Sequence, residues 1–315
     1  MKISSDVLMI RPSNFGYNSE TAKTNIFQKQ TNLSQKIIQK NALLEFEKFA
    51  NILRENEITV EIFDDTSQSF TPDSIFPNNW FSAHRNGLLI IYPMLAQNRR
   101  IEKRKDIIAF LKSKCCIKKI VDLSSYEKEN KFLEGTGSLV FDHKNRNCYA
   151  NISSRTNENL ARKVCQLLGY KAITFRATDT KKNEIYHTNV MMSIGSGYSI
   201  ICIDSIKNSS EKTRVKNSFK KSGLQIVKIS LKQMNSFCGN TLELQNERGE
   251  NILVMSENAY KAFRKNQIKI LEKYAKIIYS GIETIETVGG GSARCMMAEI
   301  SPSPPFTNGR EKKGI

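Results

Sequence analysis

One pattern returns along the chain and constrains its fold more than any other feature. FPNNWFSAHRNGLLIIYP (76–93), EGTGSLVFDHKNRNCYANIS (134–153), HTNVMMSIGSGYSIICID (187–204) and GNTLELQNERGENILVMS (239–256) each run from a small or polar start into a short apolar strand, a turn and a second apolar strand. GGGSARCMMAEI (289–300) has the start and the first strand only, and the opening segment DVLMIRPSNF (6–15) is suited to supply the second. Turn signals sit where each hairpin needs them, at RNG (85–87), HKNRN (143–147), GSG (195–197) and NERGEN (246–251). Between the hairpins, residues 33–56, 101–114, 156–168, 211–222 and 257–276 space their apolar side chains near 3.6 residues, which predicts helices. A further strand closes each unit, as in EITVEIF (57–63) or LQIVKI (224–229). Units that each leave one face unburied must pack on one another. The expected architecture is an α/β five-bladed αβ propeller of pseudo-fivefold ββαβ repeats around a central active-site channel. Residues 1–300 are expected to form a single catalytic domain, and the Pro-rich, charged stretch 301–315 a disordered tail.

In such a ring, equivalent points of the repeats face one axis. Those points carry Asn78 and Asn79, Glu134, His187 and Asn189, Asn240, and Cys295. Polar residues at strand starts also cap turns, which accounts well for Asn240. That explanation serves less well for a Cys, a His and a Glu at matching positions. Cys295 follows three glycines and Arg294 at the start of an apolar strand. Glycine lets a backbone approach a ligand, and a nearby cation favours the attacking thiolate. A core thiol is the alternative. Among the three histidines, His84 and His143 fall in or beside hairpin turns, where a solvated role is expected. His187 opens a strand and suits a structural role or a proton-transfer role. Glu134, followed by glycines before a buried strand, caps a turn or binds a polar substrate.

Composition narrows the classes. No apolar run reaches the length of a membrane span, and the first residues are too short and polar for a secretory signal, so the cytoplasm is the expected location. Seven cysteines, an odd number, with no CxxC or CxxH pair, argue against a disulfide framework and against zinc. Cys148, Cys165 and Cys202 read as buried apolar residues. The net charge of +17 admits a basic nucleic-acid-binding protein, but the lysines are scattered over amphipathic stretches such as 101–119 and 260–276 and read as solvated helix faces. No nucleic-acid or membrane partner is expected. Homo-oligomerisation is left open.

The motifs LEG, HTNVMM and GGGSARCMMAE resemble those of the amidinotransferase superfamily of arginine deiminases, dimethylarginine hydrolases and amidinotransferases. PDSIFPNNW (72–80) and RPSNFGYN (11–18) look most like its citrulline-hydrolase branch. The resemblance covers residues 6 to 300 and implies the propeller fold, a catalytic Cys295, His187 and Glu134, and no metal or cofactor. It also implies that Arg155, or Arg99 and Arg100, hold a substrate carboxylate; for Arg99 and Arg100 a helix-face role competes. Guanidine-processing members place acids at the positions of Asn78 and Asn79, and arginine deiminases also at that of Asn189. Here all three are neutral amides, which suit a ureido group, while Asp73 stays acidic and able to bind substrate nitrogen. The reaction implied is citrulline hydrolysis to ornithine, ammonia and carbon dioxide through S-carbamoyl-Cys295. A guanidino hydrolase or deiminase acting on arginine or methylated arginine is the alternative.

Overall fold

The computed structural model describes residues 4–66, 70–84 and 86–300. The stretch 301–315, expected to be a tail, lies outside the described residues, as does Arg85 of the first hairpin turn. The strands are β1 (Asp6–Arg11), β2 (Thr59–Asp64), β3 (Phe81–Ala83), β4 (Leu88–Ile91), β5 (Lys119–Asp122), β6 (Val140–Asp142), β7 (Asn147–Asn151), β8 (Lys171–Phe175), β9 (Met192–Ile194), β10 (Tyr198–Ile201), β11 (Gln225–Lys228), β12 (Leu242–Gln245), β13 (Asn251–Ser256), β14 (Lys276–Ser280) and β15 (Ala298–Glu299).

They form five three-stranded sheets, β15-β1-β2, β3-β4-β5, β6-β7-β8, β9-β10-β11 and β12-β13-β14. Four sheets repeat one plan: an antiparallel hairpin, a helical connection, then a third strand parallel to the second. The fifth is assembled from both ends of the described chain. β15 pairs antiparallel with β1, Val7 opposite Glu299 and Leu8 opposite Ala298, so the opening segment does supply the strand that GGGSARCMMAEI lacks.

In every sheet the strand that follows the polar start is an edge strand. These five strands, β3, β6, β9, β12 and β15, line one cavity of about 360 Å³. β6 lies against β9, β9 against β12, and β15 against β3. Edge strands of two to four residues, turned toward a shared interior, offer little template for pairing with another chain.

The helices form where the apolar spacing placed them, with boundaries set by caps. Ser34 accepts from Ile37 N and starts Gln35–Glu55, which buries Ile38, Ala42, Phe46, Phe49, Ala50 and Leu53 in one stripe. That stripe packs against β2 and β14. Asn157 caps Glu158–Leu168 on Leu160 N, and Gly169, in the left-handed region, ends it. Two predicted helices are broken. The stretch 101–114 is helical only from Lys105, because Glu102 turns inward to the guanidinium of Arg99. The stretch 257–276 divides into Glu257–Ala262 and Lys265–Leu271, with Phe263 extended between them. Gln267 draws the second helix away: its amide donates to Lys228 O and its oxygen accepts from Arg264 N.

Candidate active site

Each edge strand is preceded by a turn, and the turns carry the chemistry. Asn78 and Asn79 lie in the turn Pro77–Asn79, Glu134 precedes the turn Gly135–Ser138, and His187 precedes Thr188–Met191, which holds Asn189. Asn240 stands just before β12, and Cys295 in the turn before β15. All of these residues are buried. Gly135 is needed where it is: its φ is +47°, and a Cβ there would sit 2.3 Å from Asn78 O. At Gly137 a Cβ would lie 2.6 Å from Asn79 Nδ2 and 2.7 Å from His187 Nδ1. The Asn79 amide and the imidazole therefore flank one small space that any side chain at 137 would fill.

His187 Nε2 is 2.8 Å from Glu134 Oε2, and Arg155 Nη1 is 3.4 Å from the same oxygen. Glu134 also accepts from Leu95 N at 3.0 Å, and it makes no capping bond to the turn it precedes. Burial opposes its charge, but Arg155 and the bond to His187 outweigh it and hold its pKa well below the usual carboxylate range. A carboxylate on Nε2 makes that nitrogen the donor and leaves Nδ1 as the basic nitrogen of a neutral ring. Burial lowers the His187 pKa to about 4, only partly countered by Glu134.

The sulfur of Cys295 is 3.2 Å from Asn240 Nδ2 and 3.5 Å from Asn189 Nδ2. The cation expected to assist it is turned elsewhere: Arg294 donates to Met297 O at 2.7 Å and to Glu299 at 3.0 Å. Glu299 is the charge close enough to claim that guanidinium. Asn240, which a turn-capping role explained, instead touches the Cys295 sulfur. Its only sequence signal was its place in the repeat.

Arg99 is not a solvated helix residue. It is 2% exposed, paired with Glu102 at 2.9 Å, and donates to Phe76 O and to Asn79 Oδ1, the latter at 2.7 Å. Burial opposes its charge, and Glu102 and Asp73 restore it, so its pKa lies above the ordinary arginine value. Arg100 donates to Met94 O and Leu95 O. Arg155, expected to hold a substrate carboxylate, spends its donors on Thr21 O, Thr24 Oγ1 and Glu134, and stacks over Tyr186 with 4.7 Å to the ring centre. Asp73 Oδ2 accepts from Asn18 at 2.8 Å and Thr21 at 2.9 Å; burial raises its pKa, with Arg99 and those bonds pulling the other way. The segment 18–28 thus covers the site, tied to Asp73, to Arg155 and, through Asn25 and Gln28, to the carbonyls of Gly290 and Val288. Sequence reasoning gave Asn18 and Thr21 no role, although RPSNFGYN ends on Asn18.

His84 is buried, contrary to its expected solvated position. It lies 2.6 Å from Ser82 Oγ in the wall of the central cavity, and burial lowers its pKa to about 3. Cys148, Cys165 and Cys202 are buried as expected.

Five buried atoms around Cys295 and His187 have no hydrogen-bond partner among the described residues: Asp73 Oδ1, Asn78 Oδ1, Asn79 Nδ2, Asn189 Oδ1 and Asn240 Oδ1. Unpaired buried polar atoms cost about 1–3 kcal/mol each. A cluster of them beside a thiol and a His–Glu pair marks a place built to be filled by a polar ligand. A covered cysteine, a basic nitrogen and convergent amides define a cysteine hydrolase of non-peptide C–N bonds. A family model described as N,N dimethylarginine dimethylhydrolase, eukaryotic, matches residues 11–302, and the chain belongs to that family, within the amidinotransferase superfamily. None of the curated proteins compared matches the chain in sequence.

Solved structures agree on the fold. The arginine dihydrolase ArgZ of the ornithine–ammonia cycle in cyanobacteria is 16% identical over 95% of this chain, with a TM-score of 0.74. The chain spans 41% of that protein's length and 98% of its separately solved N-terminal domain. A dimethylarginine dimethylaminohydrolase, solved as an adduct with 4-chloro-2-hydroxymethylpyridine, is 15% identical over 94% of this chain and 99% of its own, with a TM-score of 0.64. Among the described residues no helix is long and apolar enough to cross a membrane.

Proposed function

We propose that the protein hydrolyses the ureido group of a small amino acid, citrulline being the substrate that fits best, to ornithine, ammonia and carbon dioxide. The observation that carries this is the orientation of Asn79. Arginine only donates, so the contact at 2.7 Å from Arg99 Nη1 fixes the acceptor Oδ1 on that side and turns Nδ2 toward the His187 ring. A donor that faces the reaction centre needs an acceptor in the substrate. A ureido group has one, its carbonyl oxygen; a guanidinium has none. The other unpaired atoms, on Asp73, Asn78, Asn189 and Asn240, are acceptors suited to ureido N–H groups.

In this reading Cys295 attacks the ureido carbon as its proton passes to His187 Nδ1. Asn79 Nδ2 donates to the developing oxyanion, and the amides on Cys295 hold the sulfur. The proton returns to the departing ammonia. Water, activated by the same nitrogen, then cleaves the S-carbamoyl enzyme, and the carbamate released loses carbon dioxide. Glu134 holds the imidazole in its productive tautomer, and Arg155 keeps Glu134 ionised. All of this chemistry runs in one catalytic domain spanning residues 1–300, with the five sheets closed as a propeller. The shared cavity and the β1–β15 pairing support that closure.

A second reading, hydrolysis of arginine or a methylated arginine, is favoured by Asp73, a buried acid with one free oxygen, and by the activities of the similar proteins. Ammonia and ornithine release from citrulline, arginine and dimethylarginine tests the two. Citrulline is expected to be turned over with the highest kcat/KM; arginine turned over as well or better overturns the ureido reading.

A further inference from the structure

We propose that Asn240 is a catalytic residue whose side-chain amide donates to Cys295 Sγ and steadies the sulfur as the attacking thiolate. The inference rests on Cys295 being the nucleophile, and not on which substrate it attacks.

The orientation of the amide is fixed from outside the site. Asn240 Nδ2 is 3.0 Å from the backbone carbonyl of Asn189 and 3.2 Å from Sγ. A carbonyl accepts and cannot donate, so the nitrogen, not the oxygen, must face it. An NH2 group has two hydrogens; one goes to the carbonyl and the other points at the sulfur. The sulfur therefore meets a donor however the thiol is protonated, and a donor favours the charged form.

The backbone is arranged to bring this amide in. Gly239 lies so close to the preceding repeat that a Cβ would sit 2.4 Å from Val190 O. Arg294 N reaches Asn240 O at 3.4 Å, so the turns that carry Cys295 and Asn240 meet side by side. Arg294, the neighbouring cation in sequence, does not take the role, because it is spent on Met297 O and Glu299. Asn189 Nδ2, at 3.5 Å, is the weaker second donor. The remaining atom of the amide, Oδ1, is buried without a partner and is free to accept a substrate N–H once the carbon is bound to sulfur.

The test uses the intact protein and iodoacetamide, with labelling followed peptide by peptide. Asn240→Ala should slow alkylation of Cys295 by roughly tenfold at pH 7, the effect of removing one hydrogen bond to a charged group. Asn240→Asp, nearly the same size and shape, should be slower still at pH 7, because it sets an oxygen against the sulfur. The buried Cys202 and Cys238 report folding: they should stay unlabelled in both variants. Cys295 labelling as fast as wild type at pH 7 in Asn240→Asp overturns the proposal. So does a deficit that appears only together with labelling of Cys202 and Cys238. If Cys295 of the wild-type protein reacts no faster than the other cysteines, its role as nucleophile fails first, a result distinguishable from a failure at Asn240.

Discussion

Asn79→Asp exchanges one atom in the site, a nitrogen for an oxygen, and adds a charge. Arg99 Nη1 accommodates the change, because the carboxylate keeps an acceptor at the position 2.7 Å away. The other carboxylate oxygen then takes the place of Nδ2, beside the His187 ring. If a ureido carbonyl occupies that point, a donor–acceptor contact becomes two acceptors face to face in a residue that is 3% exposed. A buried polar contact left unsatisfied costs about 1–3 kcal/mol, which is roughly 5- to 150-fold in kcat/KM for citrulline. The loss should fall mainly on kcat, since the oxyanion needs the donor more than the ground-state carbonyl does. For arginine the sign reverses or vanishes, as a carboxylate partners a guanidinium, although turnover also requires positioning. Steady-state release of ornithine and ammonia from both substrates gives the two constants. Unchanged citrulline kinetics in Asn79→Asp would refute the argument.

Cys295→Ser should abolish turnover with little change in thermal unfolding, since an alcohol ionises far less than a thiol; activity assays and a melting curve check both parts. Arg99→Ala should destabilise the protein by about 3–5 kcal/mol, because it leaves the buried Glu102 unpaired; chemical denaturation should show that Arg99→Ala/Glu102→Ala recovers much of that loss. The acid limb of kcat/KM that belongs to His187 should lie near pH 4 and not near the ordinary histidine value, so a pH–rate profile with half its activity lost near 6.5 would contradict the assignment of His187 as the base. His84 has its folded pKa lowered to about 3, so the folded state binds fewer protons than the unfolded chain below the ordinary value of 6.5, and its contribution to stability is lost as pH falls through that window. Urea midpoints of His84→Gln should therefore fall less steeply than those of the parent between pH 6.5 and about 3.

The repeat was legible because each hairpin repeats a local rule: a polar start, a short apolar strand, a turn and a second apolar strand. That rule places Asn78, Glu134, His187 and Cys295 at matching points without any knowledge of contacts. What a repeat cannot convey is which way a side chain turns once it arrives. Arg294 follows the rule in sequence and yet swings to Glu299, while Arg99, spaced like a surface residue on a short helix, is drawn inward by Asp73 and Glu102. Both outcomes depend on charges from other segments. The burial of His84 escaped notice for a related reason, since a residue beside a turn is exposed on an open hairpin but not on one whose edge strand faces a shared cavity. The break at Phe263 came from Gln267 reaching Lys228, a contact between units that apolar spacing within one helix does not register.

The sheet built from β1 and β15 also says something about how the chain becomes an enzyme. The turn that carries Cys295 is held by a strand whose only sheet partner is β1, from the opposite end of the described chain. Contacts of such long sequence separation form late, after the closure entropy of everything between them has been met. Competence for catalysis should therefore be the last property acquired during folding. The same adjacency makes the order of the units negotiable. Ile300 N donates to Asp6 O at 3.1 Å, so a short linker could join those ends, and a new break could be opened in the exposed turn at 247–250, where Gly249 takes a positive φ. In that permutant, Cys295 would belong to an early, locally completed hairpin, and the fold would finish at another of the five sheets.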